Sequence, residues 1–206
     1  MNIEAKLVKL LRDKTGAGMM DCKNALVESK GDLNKAVDYL RKTGVTKAEK
    51  KGTRETKEGV IYSYIHAGAR LGVLLEINCE TDFVAKTEGF SELAHNIAMQ
   101  VAATNPMALD QDNLDVNVIN REKEIYKDQA QSEGKPDNII EKMVEGRLQK
   151  FFQESCLMEQ TYIKDPNKKI KDLITENIAT LGENISVNRF IRFAIGESLI
   201  STNGKV

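Results

Sequence analysis

The spacing of apolar residues changes along the chain, and each change marks a different kind of element. Over the first forty-odd residues the period is helical. Ile3, Leu7, Leu10 and Leu11 share one face of a first helix, which the two glycines of residues 15–18 (TGAG) interrupt. A second helix is predicted over residues 19–30, with Met19, Cys22, Ala25 and Leu26 as its inward stripe. Gly31 suits the position after its C-terminus, and Asp32 suits the N-cap of a third helix. That helix offers Leu33, Ala36, Val37 and Leu40 and is expected to stop near Gly44. Residues 43–59 hold one sizeable aliphatic side chain, Val45, among Lys, Glu, Thr and Gly. They read as a linker with partial helix around residues 46–51, its lysines a solvated face.

The period then becomes two. Val60, Tyr62 and Tyr64 oppose Ile61, Ser63 and Ile65 across a first strand. After a turn at residues 67–70, Leu71, Val73, Leu75, Ile77 and Cys79 form an unbroken apolar face. These two segments predict an antiparallel hairpin. Residues 188–196 predict a third strand, with Ile191, Phe193 and Ile195 alternating against Arg192 and Ala194. A three-stranded antiparallel sheet with one buried face follows. Helices are predicted to cover it. One runs from Phe83 to about Thr104 through Phe90, Leu93, Ile97 and Val101, and Asn105-Pro106 ends it. A polar loop and a solvated helix come next. Pro136 then starts a helix striped with Ile140, Met143, Val144, Leu148, Phe151 and Phe152, and residues 167–182 form the last helix. The fold class is α+β. The predicted domains are a three-helix bundle at 1–44, a linker at 45–58 and an α+β core at 59–206, with a helical insertion at about 110–152.

Composition narrows the function classes. The chain has 206 residues, 41% hydrophobic and 30% charged, which is a globular balance. Thirty Lys and Arg against 31 Asp and Glu give a net charge of −1. A dedicated nucleic-acid binder would show a basic surplus. No apolar run approaches the length of a membrane span, and the N-terminal residues lack the core of a secretory signal. Cys22, Cys79 and Cys156 are odd in number and far apart; with His66 and His95 they make no zinc pattern. Reduced thiols, a cytoplasmic location and no metal or cofactor are expected.

Enzyme motifs are missing as well. There is no nucleophile elbow, P-loop or dinucleotide fingerprint. Gly16 and Gly18 lie between helices rather than after a strand, which is the wrong context for a phosphate cradle. His66 reads as a surface residue beside the hairpin turn. His95, one position off an apolar stripe, stays open between a structural and a contact role. One residue is left unexplained. Phe83 directly follows Asp82 at a strand-to-helix corner, and the inward stripe begins only at Phe90. Thr81 or Asp82 would cap that helix. Phe83 then either anchors the corner or points out to meet something.

Two stretches carry more than pattern. Residues 11–26 (LRDKTGAGMMDCKNAL) and 76–86 (EINCETDFVAK) closely resemble the two signature segments of the bacterial elongation factor Ts family. Residues 135–151 (KPDNIIEKMVEGRLQKF) are similar to its C-terminal core segment, and SYIHAGARLGVLLEIN and HNIAMQVAA are family-like too. The resemblance implies a ubiquitin-associated-like three-helix bundle followed by an α+β core. It implies guanine-nucleotide exchange on elongation factor Tu during translation, with no covalent chemistry. It puts Thr81, Asp82, Phe83 and Val84 against the partner near its magnesium and phosphate site. It suggests second contacts at Leu11, Arg12, Thr15, Gly16, Ala17, Gly18, Met19 and Met20, and a third group at His95, Met99 and Gln100. The chain resembles compact members with one core unit, which leaves a homodimer open. The rival readings are a non-catalytic adaptor built on the N-terminal bundle and an RNA-binding translation factor, the latter expected to show steep salt dependence.

Overall fold

The computed structural model describes residues 3–197; the last nine residues of the predicted core domain lie outside them. The described chain is α+β, with a three-stranded antiparallel sheet, a small two-stranded sheet and helices making up more than half of it. It divides into two compact units. One comprises the described residues up to Ile61, with Glu76–Ala94 and Asp172–Asn188; the other comprises Tyr62–Leu75, His95–Lys171 and the described residues from Arg189.

In the first unit, helices α1 (Ala5–Thr15), α2 (Met19–Glu28) and α3 (Leu33–Lys51) close a small core. Val8, Leu11, Cys22, Ala25, Leu26 and Ala36 are its buried members, with Ile3, Leu7, Leu33, Val37 and Leu40 packed around them. Leu10 and Met19, both expected inward, are exposed. Steps of four from Ile3 through Leu7 to Leu11 centre the α1 stripe beside Val8, and Leu10 falls off its edge. Met19 opens α2, where its side chain extends past the core. Helix α3 begins as expected, with Asp32 Oδ1 accepting from Asn34 N and Lys35 N at 3.0 and 3.1 Å. It does not stop near Gly44, however, but runs on to Lys51. The glycine serves packing rather than termination, because a Cβ there would sit 3.2 Å from Ala179 Cβ.

Strands β1 (Glu58–Ile65), β2 (Leu71–Cys79) and β5 (Ile185–Ala194) lie in the order β1-β2-β5. The apolar face of β2 is inward as read from the sequence: Val73, Leu75, Ile77 and Cys79 are buried and Leu71, at its start, is half-buried. Gly59 makes the pairing of β1 with β2 close. A Cβ there would come within 2.3 Å of Ile77 O, and its φ of 151° belongs to glycine. Along β5, Ile185 and Val187 are buried, then Asn188 and Arg189 are exposed in succession. That slip reverses the alternation. Arg192 and Ala194 are half-buried, and Ile191, Phe193 and Ile195 face out.

The predicted helix from Phe83 to Thr104 is two helices. Helix α4 (Asp82–Ala85) is a single turn, and α5 (Glu88–Thr104) carries the buried stripe Phe90, Leu93, Ile97 and Val101. Thr87 separates them: its hydroxyl donates to Val84 O at 2.7 Å and accepts from Phe90 N at 3.3 Å. In the second unit, α6 (Val116–Ser132) is capped by Asp115 and α7 (Asp137–Ser155) starts after Pro136. Ala108, Leu114, Leu148, Phe152 and Cys156 form the core there, with Ile119, Tyr126, Val144 and Phe151 against it. Strands β3 (Thr161–Tyr162) and β4 (Asp165–Lys169) pair antiparallel and displace the expected start of the last helix, α8 (Ile170–Leu181).

Candidate functional site

The corner at residues 79–86 is built from a buried strand end and an exposed turn of helix. Cys79 closes the apolar face of β2, and its Sγ donates to Thr81 O at 3.1 Å. Burial, and next the charge of Glu183, push its thiol pKa up. Thr81 is the N-cap of α4, in extended backbone at φ −131°, ψ 155°. Asp82, the other candidate cap, turns instead to Lys86 Nζ at 2.6 Å. That hydrogen bond and charge hold the Asp82 carboxyl below its ordinary range and raise the Lys86 ammonium.

Phe83 is the most exposed large apolar residue described, with 80% of its surface open. Seven positions on, Phe90 is at 0%. Between the two readings of Phe83, the geometry is that of an outward ring. Val84, the next residue, is half-buried.

Behind the ring lies a polar clamp that sequence reasoning missed. Glu183 accepts from Thr81 N at 2.9 Å through Oε2 and from Thr81 Oγ1 at 2.6 Å through Oε1. Glu80 accepts from Asn184 N at 2.6 Å, and Asn184 Nδ2 donates to Arg54 O at 2.7 Å. The Arg54 guanidinium lies 3.4 Å from Glu80, and Lys51 Nζ donates to Gly182 O. The segment after α8 therefore grips the corner at two consecutive residues. The sequence signal was a helix-ending glycine followed by two polar residues, with nothing to indicate what they hold.

The same end of α8 meets the turn between α1 and α2. Gly16 leaves α1 in left-handed conformation at φ 68°, and a Cβ there would lie 3.2 Å from Thr180 Cγ2. Thr15 Oγ1 donates to Leu11 O at 2.7 Å and accepts from Ala17 N at 3.4 Å, stiffening the turn. Arg12, Gly18, Met19 and Met20 are exposed there, and Ala17 is half-buried. The segment from Thr180 to Asn184 thus supports both predicted contact regions. Leu11 lies where the helical spacing put it, at 0% exposure in the helical core, and presents no side-chain surface for the contact that the resemblance suggested.

The third predicted group lies in the other unit. His95 is half-buried, with Nδ1 3.1 Å from Tyr62 OH and its ring edge-on to Tyr64 at 5.5 Å. Met99 is half-buried. Gln100 is wholly buried. Its Nε2 donates to Gln160 Oε1 at 3.1 Å and Thr161 O at 3.2 Å, and its Oε1 accepts from Ile163 N at 2.9 Å. An amide with its bonding used internally has nothing to offer a partner, so Gln100 pins β3 to α5 instead. His66, as read, is exposed, 2.8 Å from Tyr64 OH. Among the described residues, no three His, Cys, Asp or Glu side chains are grouped as metal ligands would be.

A sequence profile of the family described as Elongation factor TS matches residues 11–200. Elongation factor Ts of Syntrophomonas wolfei is 59% identical over 197 residues, covering 96% of this chain and 92% of the relative. That of Thermodesulfovibrio yellowstonii is 57% identical over 198 residues, covering 96% and 98%. That of Moorella thermoacetica is 52% identical over 200 residues, covering 97% and 98%.

Proposed function

This chain belongs to the elongation factor Ts family and is a translation elongation factor, and from that premise we propose that it binds elongation factor Tu and promotes the release of GDP from it. The observation that carries this reading is Phe83. An 80% exposed phenylalanine on a clamped corner has little to do within its own fold. It is suited to enter a partner as a wedge. With Thr81, Asp82 and Val84 beside it, the ring displaces an element near the magnesium and phosphate site of the GTPase. A buried aromatic anchor of this kind is worth about 2 kcal/mol or more on truncation.

No bond is made or broken by the factor. It works by binding nucleotide-free partner more tightly than GDP-bound partner. Linkage requires that it weaken GDP binding by the same ratio. Each tenfold needs about 1.4 kcal/mol of differential contact. The α1–α2 turn supplies second contacts through Arg12, Thr15, Gly16, Ala17, Gly18, Met19 and Met20. Its exposed methionines can adapt to an uneven partner surface. His95 and Met99 form a third, smaller group.

Self-association is a further part of the proposal. Ile65, Leu74, Phe193 and Ile195 line an exposed apolar groove on the three-stranded sheet, next to exposed Ile191. A contiguous apolar patch of this kind suits a second copy of the chain, as a homodimer. The balanced charge supports the absence of direct nucleic-acid contacts. No helix among the described residues is long and apolar enough to cross a membrane, and the reading has the chain act in the cytoplasm.

The test is the release of a fluorescent GDP from purified elongation factor Tu. The chain at micromolar concentration is expected to accelerate release, and the Phe83→Ala chain to lose most of that acceleration. Release unchanged by the native chain would sink the proposal.

A further inference from the structure

A ring can act as a wedge only if its direction is held, and α4 is one turn long. A single turn has no stability of its own, since nucleating a helix costs more than one hydrogen bond returns. Asp82 and Lys86 pair with each other on the exposed side. The grip comes from behind. Both carboxylate oxygens of Glu183 are spent on Thr81, the residue from which α4 starts, across 102 positions of sequence. Bonds to an ionised acceptor are among the stronger ones, and a carboxylate taking two donors from one residue also fixes an angle.

We propose that Glu183 is a positioning residue for nucleotide exchange: its carboxylate locks Thr81 and thereby sets the direction in which Phe83 leaves the molecule. Glu183 itself touches no partner in this account. The inference rests on the reading of Phe83 as the wedge. It assigns a specific task to a residue that the signature segments do not contain.

The experiment measures GDP release from elongation factor Tu at saturating factor for the native chain, Glu183→Ala, Glu183→Gln, Phe83→Ala and the double variant Glu183→Ala/Phe83→Ala. Melting curves on each chain check that it folds. Glu183→Ala is expected to slow release about tenfold or more, the range set by losing hydrogen bonds to a charged group. Glu183→Gln keeps an oxygen for Thr81 N and an amide that can donate to Thr81 Oγ1, so it is expected to retain a rate within about threefold of native. In the Phe83→Ala background, removing Glu183 is expected to change nothing further. A purely structural role would slow both backgrounds by the same factor, and that result would overturn the inference while leaving Phe83 as the wedge. A Phe83→Ala chain with native activity would overturn both, since no ring is left to position. Should Glu183→Ala fail to fold, Glu183→Asp, whose side chain is one methylene too short to hold both Thr81 donors, carries the same comparison. A loss seen only when Phe83 is present supports the proposal, and an equal loss in both backgrounds refutes it.

Discussion

Replacing Phe83 or Phe90 with alanine deletes the same atoms from two sites seven residues apart, with very unequal consequences for stability. Full burial of a phenylalanine side chain is worth about 1.5–3 kcal/mol. Phe83 keeps 80% of its surface exposed, so about one-fifth of that value, roughly 0.3–0.6 kcal/mol, is lost on truncation. Alanine is also the better helix former by about 0.5 kcal/mol, which offsets most of this loss in α4. Phe83→Ala should therefore unfold within about 0.5 kcal/mol of the native chain. Phe90 is at 0% exposure in α5. Its removal loses transfer energy and leaves a cavity, together about 3–5 kcal/mol. The assay is urea unfolding followed by far-ultraviolet circular dichroism, comparing midpoints at unchanged slope. If Phe83→Ala lost about 1.5 kcal/mol or more, its ring would be an anchor of the corner. The outward geometry would then not describe the protein in solution.

Other sites give independent checks. All three cysteines are buried; burial raises the Cys22 and Cys79 thiols and pushes Cys156 up to about 11. Native protein at mildly alkaline pH should resist alkylation while urea-unfolded protein labels at all three, and rapid labelling of native protein would contradict this packing. Gly59→Ala should cost about 3 kcal/mol or more, because the added Cβ meets strand backbone at a disallowed φ; a melting temperature near native would show the β1–β2 approach to be looser. Glu159 bonds Lys169 at 2.9 Å and Lys171 at 3.0 Å, which lowers its pKa below the ordinary 4.5. A depressed carboxylate stabilises above its unfolded pKa and loses that contribution as pH falls through its folded value. Glu159→Gln should then cost about 1–2 kcal/mol near neutral pH and progressively less in acid, as read from unfolding midpoints against pH; a cost that does not shrink in acid would refute the pairing.

Legibility in the sequence followed the range of the interactions. The β2 face, the helical stripes of α5 and α7 and the Asp32 cap depend on neighbours within a few positions, and the alternation or spacing of those residues displayed them. Phe83 was legible for the same reason, because the stripe that should have claimed it starts at Phe90. Local conflicts were harder. Gly44 looked like a stop, yet its missing side chain lets α3 pass Ala179. Thr87 looked like one more helical residue, yet its hydroxyl starts a new helix. The slip at Asn188 and Arg189 turned the apolar side of β5 outward, which a strict two-residue period does not anticipate. The contact roles of Leu11 and Gln100 came from family segments, and a segment identifies positions without their orientation. Glu183 was invisible because its partner is 102 residues away and neither end is chemically unusual.

The central claim is a difference in affinity, and it is measured by titrating the chain onto elongation factor Tu with and without GDP. The account predicts tighter binding to the nucleotide-free partner, by the same ratio by which the bound chain weakens GDP. Equal affinity for the two forms would contradict it, however tight the binding.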